Sequence, residues 1–179
     1  MRTASRLLLG SLLLGPLGCG LLGRGGGERE RPTTAAATLV DRAGRTVGTA
    51  TLTSSSQGVL VSAAFTGLGP GTHAIHVHET GLCRPDFAAA GAHFNPGNRQ
   101  HGFRNAQGPH AGDLPNIHVS PSGTLTVELL LPGVTISGDR ALLDGDGAAL
   151  VVHANADDYT TEPSGNSGDR IACGVIAGR

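Results

Sequence analysis

Residues 46–66 read TVGTATLTSSSQGVLVSAAFT, two runs rich in β-branched and small apolar residues on either side of a polar turn. Short runs of this composition, bounded by turn residues, are typical of β-strands. We therefore predict one strand over Thr46–Thr53 and another over Val59–Thr66, joined by a turn at 56–58. No convincing helical period competes with this interpretation.

The same pattern recurs along the chain, between turns rich in glycine and proline. Six further strands are predicted: Ala37–Arg42, Thr72–His78, Asn116–Ser120, Thr124–Leu131, Ala148–His153 and Ile171–Ala177. Eight short strands in one domain predict an all-β fold, either an antiparallel sandwich or a flattened barrel. Because aromatic residues make up only 3% of the chain, the core must be built from Val, Leu, Ile and Ala.

Residues 1–19 have the composition of a secretory signal peptide. A basic start precedes the short apolar run Leu7–Leu14, and small residues then lead to Cys19. The small residue before Cys19 favours lipid attachment there, whereas Pro16 departs from the usual lipoprotein cleavage box. An exported protein is therefore predicted, and a tethered and a free mature form both stay open.

The rest of the chain divides into a linker and one domain. Residues 20–36 are rich in glycine and charge and are predicted to form a flexible linker. Residues 37–179 are the size of one ordinary domain. The formal net charge of −1 does not favour nucleic acid or a membrane surface as a partner through bulk charge.

The chain contains three cysteines. Cys19 belongs to the predicted leader, which leaves Cys83 and Cys173 as a pair within the domain. In an oxidising compartment these two thiols are expected to form a disulfide. Two free buried thiols are the alternative.

Two long connections, Glu79–Pro115 and Ala154–Arg170, interrupt the strands. Long segments without secondary structure are uncommon in a compact domain and are usually functional. The first connection carries three of the eight histidines: His93, His101 and His110. We therefore place the chemistry of the protein in these segments.

Further histidines lie in the predicted strands. His76 and His78 flank Val77, and side chains two residues apart project from the same face of a strand. His73 has the opposite parity, so we predict a structural histidine that bonds to the backbone. His118 is predicted to be a surface residue or a weak metal ligand.

The histidine cluster has the composition of a metal site. Neutral imidazole is the commonest protein ligand of zinc and copper, and aspartate is an acceptable zinc ligand. His153 ends a later strand, and Asp113 follows His110 by three positions. These candidates outnumber the ligands of one tetrahedral ion, which predicts two metals. No cysteine is among the candidate ligands, which argues against a zinc finger.

The pattern resembles the copper–zinc superoxide dismutase family over nearly the whole domain, from Ala37 to the C-terminus. The motifs that carry the resemblance are 76–79 (HVHE), 91–96 (GAHFNP), 101–102 (HG), 110–116 (HAGDLPN), 150–153 (LVVH) and 165–174 (GNSGDRIACG). The resemblance implies an eight-stranded antiparallel Greek-key barrel with two long functional loops. The short spacing between His78 and Cys83 is similar to that of bacterial members.

The resemblance also implies a role for each matching residue. Copper would be bound by His76, His78, His93 and His153. Zinc would be bound by His93, His101, His110 and Asp113, so that the two ions share His93. Asp157 resembles the acid that joins the two sites through hydrogen bonds to histidines, Arg170 the arginine beside the open copper face, and Cys83 and Cys173 the disulfide that pins the metal loop.

The activity implied by the resemblance is conversion of superoxide to oxygen and hydrogen peroxide by copper redox cycling. His93 is expected to leave copper and take up a proton on reduction, and Arg170 to attract the anion. The expected location is the periplasm or the cell envelope, with superoxide as the small-molecule partner. Surfaces in this family pair in more than one way, and a homodimer is one of the resulting states.

Three other functions fit parts of the pattern. A copper-only dismutase would lack the zinc ligands and the long second loop, and both are present. A non-catalytic member of the family would have lost copper ligands or the arginine, and none is missing. An envelope copper carrier would present exposed ligands rich in Met or Cys, whereas the only methionine is Met1.

Overall fold

The computed structural model describes residues 33–138 and 140–179, and nearly all of the regular structure in this part of the chain is β. The signal peptide predicted at 1–19 and most of the predicted linker lie outside the described residues. The nine strands are β1 (Thr34–Asp41), β2 (Thr46–Ser55), β3 (Gly58–Thr66), β4 (Gly71–His73), β5 (Ile75–His78), β6 (Ile117–Val119), β7 (Thr124–Pro132), β8 (Ala148–His153) and β9 (Arg170–Gly178).

Seven strands form one antiparallel sheet in the order β5-β8-β9-β1-β2-β3-β7, and β4 pairs with β6. Because β4 runs on into β5 and β6 packs beside β7, the β4–β6 pair lies between the two edges of the large sheet. The sheet therefore curls towards closure as a barrel. Strands distant in sequence lie side by side, as β1 and β9 do, which is the crossover pattern of a Greek key.

The predicted all-β antiparallel fold is confirmed, with two differences in its strands. β1 begins at Thr34, three residues before the predicted strand start at Ala37, and so includes the last residues of the predicted linker. The predicted strand Thr72–His78 is two strands, because the chain changes partners at Ala74. The N–H of Ala74 donates to the carbonyl of Asn155, and its own carbonyl accepts from the N–H of His153.

The core of the barrel is aliphatic, as the composition predicts. Alternate residues of β2 and β3 point inward, and Leu52 and Val61 are fully buried. Among the described residues, Phe65 is the one Phe, Tyr or Trp in the set of largest fully buried side chains. Burial of apolar surface stabilises the sheet by about 25 cal/mol per Å², which gives a rigid support for the residues that follow β5 and β8.

The first long connection is tied to the barrel by a disulfide. Cys83 and Cys173 are bonded, with Cα atoms 5.8 Å apart and 90 positions between them in sequence. In the chain-entropy model such a bridge contributes roughly 4–5 kcal/mol of stability. The predicted pairing of the cysteines is confirmed.

The same connection contains a short 3₁₀ helix, Phe87–Ala90, which the sequence did not predict. The carboxylate of Asp86 caps this helix.

No helix among the described residues has the length and apolar character needed to cross a membrane.

Candidate metal centre

Two neighbouring strands place three of the histidines together. β5 pairs with β8, and His76 lies opposite Val151 in this ladder. The side chains of His76 and His78 are 0% and 1% exposed, and His153, at the end of β8, is 3% exposed. Val77 packs into the aliphatic core, so the predicted alternation along this strand is confirmed.

The free edge of β5 is occupied by the first long connection. The N–H of Phe94 donates to the carbonyl of Val77, and the N–H of Val77 donates to the carbonyl of Gly112. These bonds bring the segments around His93 and Asp113 against the strand that carries His76 and His78, as two isolated bridges confirm. Residues separated by up to 37 positions in sequence thereby meet in one cluster.

The first metal-binding group consists of four buried imidazoles whose ligand atoms lie within 4.8 Å of one another: His76, His78, His93 and His153. The Nδ1 of His76 and the Nε2 of His93 are buried and have no hydrogen-bond partner among the described residues. The Nε2 of His78 faces the Nε2 of His153 at 3.4 Å. Because buried polar atoms are rarely left unsatisfied, four nitrogens facing one point fit a metal that imidazole binds well, such as copper.

Hydrogen bonds to the outer nitrogens fix the orientation of these rings. The Nδ1 of His78 donates to the carbonyl of Gly91 at 3.0 Å, and the Nδ1 of His153 donates to the carbonyl of Gly168 at 3.2 Å. Each ring then carries its proton on the outer nitrogen and a lone pair on the inner one, which is the tautomer that a metal requires. The sequence did not predict these partners, because a backbone carbonyl leaves no signal in residue identity.

The second group combines three histidines with one carboxylate, again within 4.8 Å: His93, His101, His110 and Asp113. The Nδ1 of His93 lies 2.8 Å from the Oδ1 of Asp113 and 3.3 Å from the Nδ1 of His110. The Nδ1 of His101 lies 3.1 Å from the Oδ2 of Asp113. Three imidazole nitrogens and one carboxylate oxygen fit the four-coordinate preference of zinc.

Two residues join the groups. His93 belongs to both, with its Nε2 directed to the first group and its Nδ1 to the second. Asp157 accepts a hydrogen bond from the Nε2 of His76 at 2.8 Å and another from the Nε2 of His101 at 3.0 Å. The structure therefore links the two groups once through an imidazole ring and once through a carboxylate.

Burial keeps three imidazoles of the first group neutral. It lowers the pKa of His78 to about 2 and that of His153 to about 3, and neighbouring histidines and Arg170 act in the same direction. Burial also lowers the pKa of His93 to about 4, although the hydrogen bond with Asp113 partly offsets it. Neutral imidazole is the form that binds metal, so protons compete for these three rings only in strongly acidic solution.

His101 behaves in the opposite way. Burial lowers its pKa, but hydrogen bonds to Asp113 and Asp157 outweigh burial and raise the pKa to about 9. Burial raises the pKa of Asp113, whereas hydrogen bonds from the three histidines around it hold that pKa well below its usual range. In the metal-free protein at neutral pH, a protonated His101 therefore lies between two carboxylates.

Zinc binding to the metal-free protein at pH 7 is expected to release about one proton from His101, because the ion needs the Nδ1 lone pair. With the pKa raised to about 9, apparent zinc affinity should rise about tenfold per pH unit below 9. Calorimetric titrations in buffers of different ionisation enthalpy measure the release. Asp157→Asn removes one of the two carboxylates and should therefore release fewer protons per zinc ion bound. If the wild type released almost no protons on binding zinc, the protonation of His101 would be contradicted.

An open pocket of about 610 Å³ gives access to the first group, and its walls include His78, His93, His153 and Arg170. The guanidinium of Arg170 donates to the carbonyls of Phe87 and Gly91, both at 2.7 Å. Those carbonyls belong to the loop that the disulfide pins to β9, so the bridge also fixes Arg170. Among the described residues that line the pocket, Arg170 is the only lysine or arginine.

The two remaining histidines of the described chain lie outside both groups. The Nδ1 of His73 lies 2.8 Å from the carbonyl of His153, and its Nε2 lies 2.9 Å from the carbonyl of Gly69. The predicted structural role of His73 is confirmed. His118 is exposed on β6, where its Nδ1 contacts the hydroxyl of Thr72 at 3.0 Å, which agrees with a surface position.

The fold and the two groups define a class of protein: an antiparallel β-barrel that carries two buried groups of candidate metal ligands with one imidazole in common. Residues 46–176 match the family model described as copper/zinc superoxide dismutase. The chain belongs to the copper/zinc superoxide dismutase family. It is an oxidoreductase with copper and zinc as cofactors.

Relatives cover most of the chain. It is 41% identical over 180 residues to superoxide dismutase [Cu-Zn] 2 of Aquifex aeolicus, covering 98% of this chain and 99% of the relative. It is 46% identical over 147 residues to superoxide dismutase [Cu-Zn] of Caulobacter vibrioides, covering 78% and 84%. The crystal structure of a superoxide dismutase-like protein from Bacillus subtilis matches with a TM-score of 0.75 at 42% identity, covering 78% of this chain and 96% of that one.

Proposed function

We propose that this chain disproportionates superoxide, two superoxide anions and two protons giving oxygen and hydrogen peroxide. The observation that carries the proposal is the complete set of inward-facing ligands beside an open pocket with one arginine. The set matters because relatives of this chain include a protein named superoxide dismutase-like. A family likeness is therefore weaker support for activity than the residues themselves.

The ligand groups divide between the two ions. We assign copper to the all-histidine group, which meets the open pocket: His76, His78, His93 and His153. We assign zinc to the group that contains the carboxylate: His93, His101, His110 and Asp113. When bound, copper supplies one-electron redox chemistry and zinc supplies a fixed positive charge that holds the shared ring.

The protein residues supply the proton and the electrostatic attraction. The Nε2 of His93 faces the first group, and we assign it as the atom that holds a proton in the reduced half of the cycle and then gives it to the peroxide product. The opposite nitrogen of that ring, Nδ1, faces the second group, where the assigned zinc would hold the imidazole in place while its Nε2 gains and loses the proton. Arg170 attracts the superoxide anion and orients it in the pocket.

The burial of the ligands argues against a protein that carries copper and transfers it to a partner. The seven side chains of the two groups are at most 8% exposed, and the most exposed of them is His110. Rapid exchange with a partner requires ligands that the partner can reach. Burial of this kind supports a resident, catalytic metal.

Arg170→Gln is expected to lower the rate of superoxide consumption by about tenfold or more, because no second lysine or arginine among the described pocket residues replaces the charge. The remaining activity should depend less on ionic strength, since screening acts on the attraction that was lost. Rates of the metal-loaded protein at several salt concentrations measure both effects.

Arg179→Gln is the matched control, because it removes the same charge one residue beyond the opposite end of β9 and outside the pocket. It should leave both the rate and its salt dependence unchanged. Equal rates for the two variants would reject the assignment of Arg170, and a wild-type protein that binds both metals without consuming superoxide would reject the proposed function.

We propose that the protein is exported to the periplasm or cell envelope. The disulfide between Cys83 and Cys173 supports this location, because such bonds persist in oxidising compartments. Residues 1–19 would act as the signal peptide and residues 20–36 as the linker, with lipid on Cys19 in a tethered form. The intact mass of the mature protein tests this: an uncleaved chain would contradict export, and the absence of added lipid would leave the free form.

We further propose that two copies pair. Leu82 and Val175 are 53% and 41% exposed and line one apolar groove together with both cysteines of the disulfide. Exposed apolar surface of this kind commonly marks a protein interface. Sedimentation equilibrium tests the pairing, which a monomer mass at micromolar concentration would reject.

A further inference from the structure

Asn116 has no role in the proposed function, although it belongs to the motif at 110–116 that also contains His110 and Asp113. Asn116 ends the motif HAGDLPN and immediately precedes β6. Its side-chain Oδ1 accepts from the backbone N–H of Asp157 at 2.8 Å, and its Nδ2 donates to the backbone carbonyl of Asp157 at 2.9 Å. The N–H of Asn116 itself donates to the hydroxyl of Tyr159 at 2.7 Å. Three hydrogen bonds from one residue therefore join the end of the first long loop to the second.

The side chain of Asp157 has little freedom beyond this clamp. Its Oδ1 accepts from the N–H of Tyr159 at 2.6 Å as well as from His101. Gly165 packs against the same oxygen so closely that a Cβ at this position would overlap it. Backbone and carboxylate of Asp157 are thus fixed together, and Asn116 provides both side-chain bonds to that backbone.

We propose that Asn116 is a positioning residue for both metals. By holding the backbone of Asp157, it sets the carboxylate at the distance where His76 and His101 can each donate a hydrogen bond. Hydrogen bonds of this kind orient a ligand ring, and their loss typically weakens metal binding 10–100-fold. The inference rests on the ligand assignment under the proposed function, and it adds a residue that contacts neither metal group.

A double-mutant cycle tests the inference. Copper and zinc affinities are measured on the metal-free protein by competition with chelators, so no activity assay is needed. Asn116→Ala and Asp157→Asn should each weaken both metals by roughly tenfold. The double variant should bind no more weakly than Asp157→Asn alone, because the carboxylate that Asn116 positions is already absent.

Asn95 offers a matched control within the same long loop. Its Oδ1 accepts from the N–H of Arg99 at 2.9 Å, and its Nδ2 donates to the carbonyl of Arg99 at 2.8 Å, which is the same clamp on a different residue. Asn95→Ala removes a clamp of equal size that does not hold Asp157. It should leave both metal affinities unchanged even if the melting temperature falls.

Two results would overturn the inference: unchanged metal affinities in Asn116→Ala, or additive losses in the double variant. If Asn116→Ala does not fold, Asn116→Asp runs the same cycle, since it keeps the acceptor for the Asp157 N–H and loses the donor to its carbonyl. A wild-type protein that binds neither metal would overturn the proposed function. If the wild type binds both metals and the losses of metal affinity in the two single variants add up in the double variant, this inference alone would be overturned.

Discussion

Replacement of His153 with alanine is expected to abolish superoxide disproportionation while the barrel still folds. The change removes one of four copper ligands but leaves the backbone of β8, whose carbonyl at this position holds His73. Because loss of an outer hydrogen bond alone weakens a metal 10–100-fold, loss of a ligand should weaken copper by more than about 100-fold. Elemental analysis and a superoxide-consumption assay on the same sample measure the effect.

His118→Ala is the control for this variant. It removes a histidine of the same barrel whose ring is exposed and contacts only a threonine hydroxyl among the described partners. Copper content and rate should equal those of the wild type. If His153→Ala kept full activity with normal copper content, the assignment of His153 as a ligand would be wrong.

Replacement of Asp113 with alanine is expected to remove zinc first and to destabilise the loop Glu79–Pro115 as a consequence. The carboxylate contacts three histidines of the second group and also accepts from the backbone N–H groups of Gly102 and His110, at 2.9 and 3.0 Å. Loss of one partner from a buried ionic network costs roughly 3–5 kcal/mol. Zinc stoichiometry and unfolding by denaturant measure the two effects separately.

Asp144→Ala provides the comparison for Asp113→Ala. Asp144 is exposed and caps the N–H of Gly147 at 3.1 Å, so it also holds a turn but lies outside both metal groups. The Asp144→Ala substitution should lower the free energy of unfolding slightly and leave the zinc stoichiometry unchanged. Unaltered zinc stoichiometry and stability in Asp113→Ala would refute the role of this carboxylate.

The sequence predicted which side chains lie together more completely than it predicted the strands. His76 and His78 could be paired from the period of a strand alone, and the histidines of the long loop could be recognised as one cluster. The strand pattern could not predict the change of strand partner at Ala74. This change depends on tertiary hydrogen bonds of Ala74 to Asn155 and His153. Local composition therefore predicted one strand where the fold has two.

The contacts that orient the ligands were predicted only in part. Asp157 could be proposed only through the family resemblance, as the acid four positions after His153. The carbonyls of Gly91 and Gly168 could not, since every residue has a carbonyl and only the loop conformation directs these two at imidazoles. The clamp of Asn116 on Asp157 joins residues 41 positions apart and has no signal in either segment alone.

Diffraction data collected at the copper and zinc absorption edges, from crystals loaded with both metals, test the shared imidazole most directly. The account predicts a copper peak among His76, His78, His93 and His153. It predicts a separate zinc peak among His93, His101, His110 and Asp113, with the ring of His93 between the two ions. A single metal position at both edges, or a His93 ring that contacts neither ion, would contradict it.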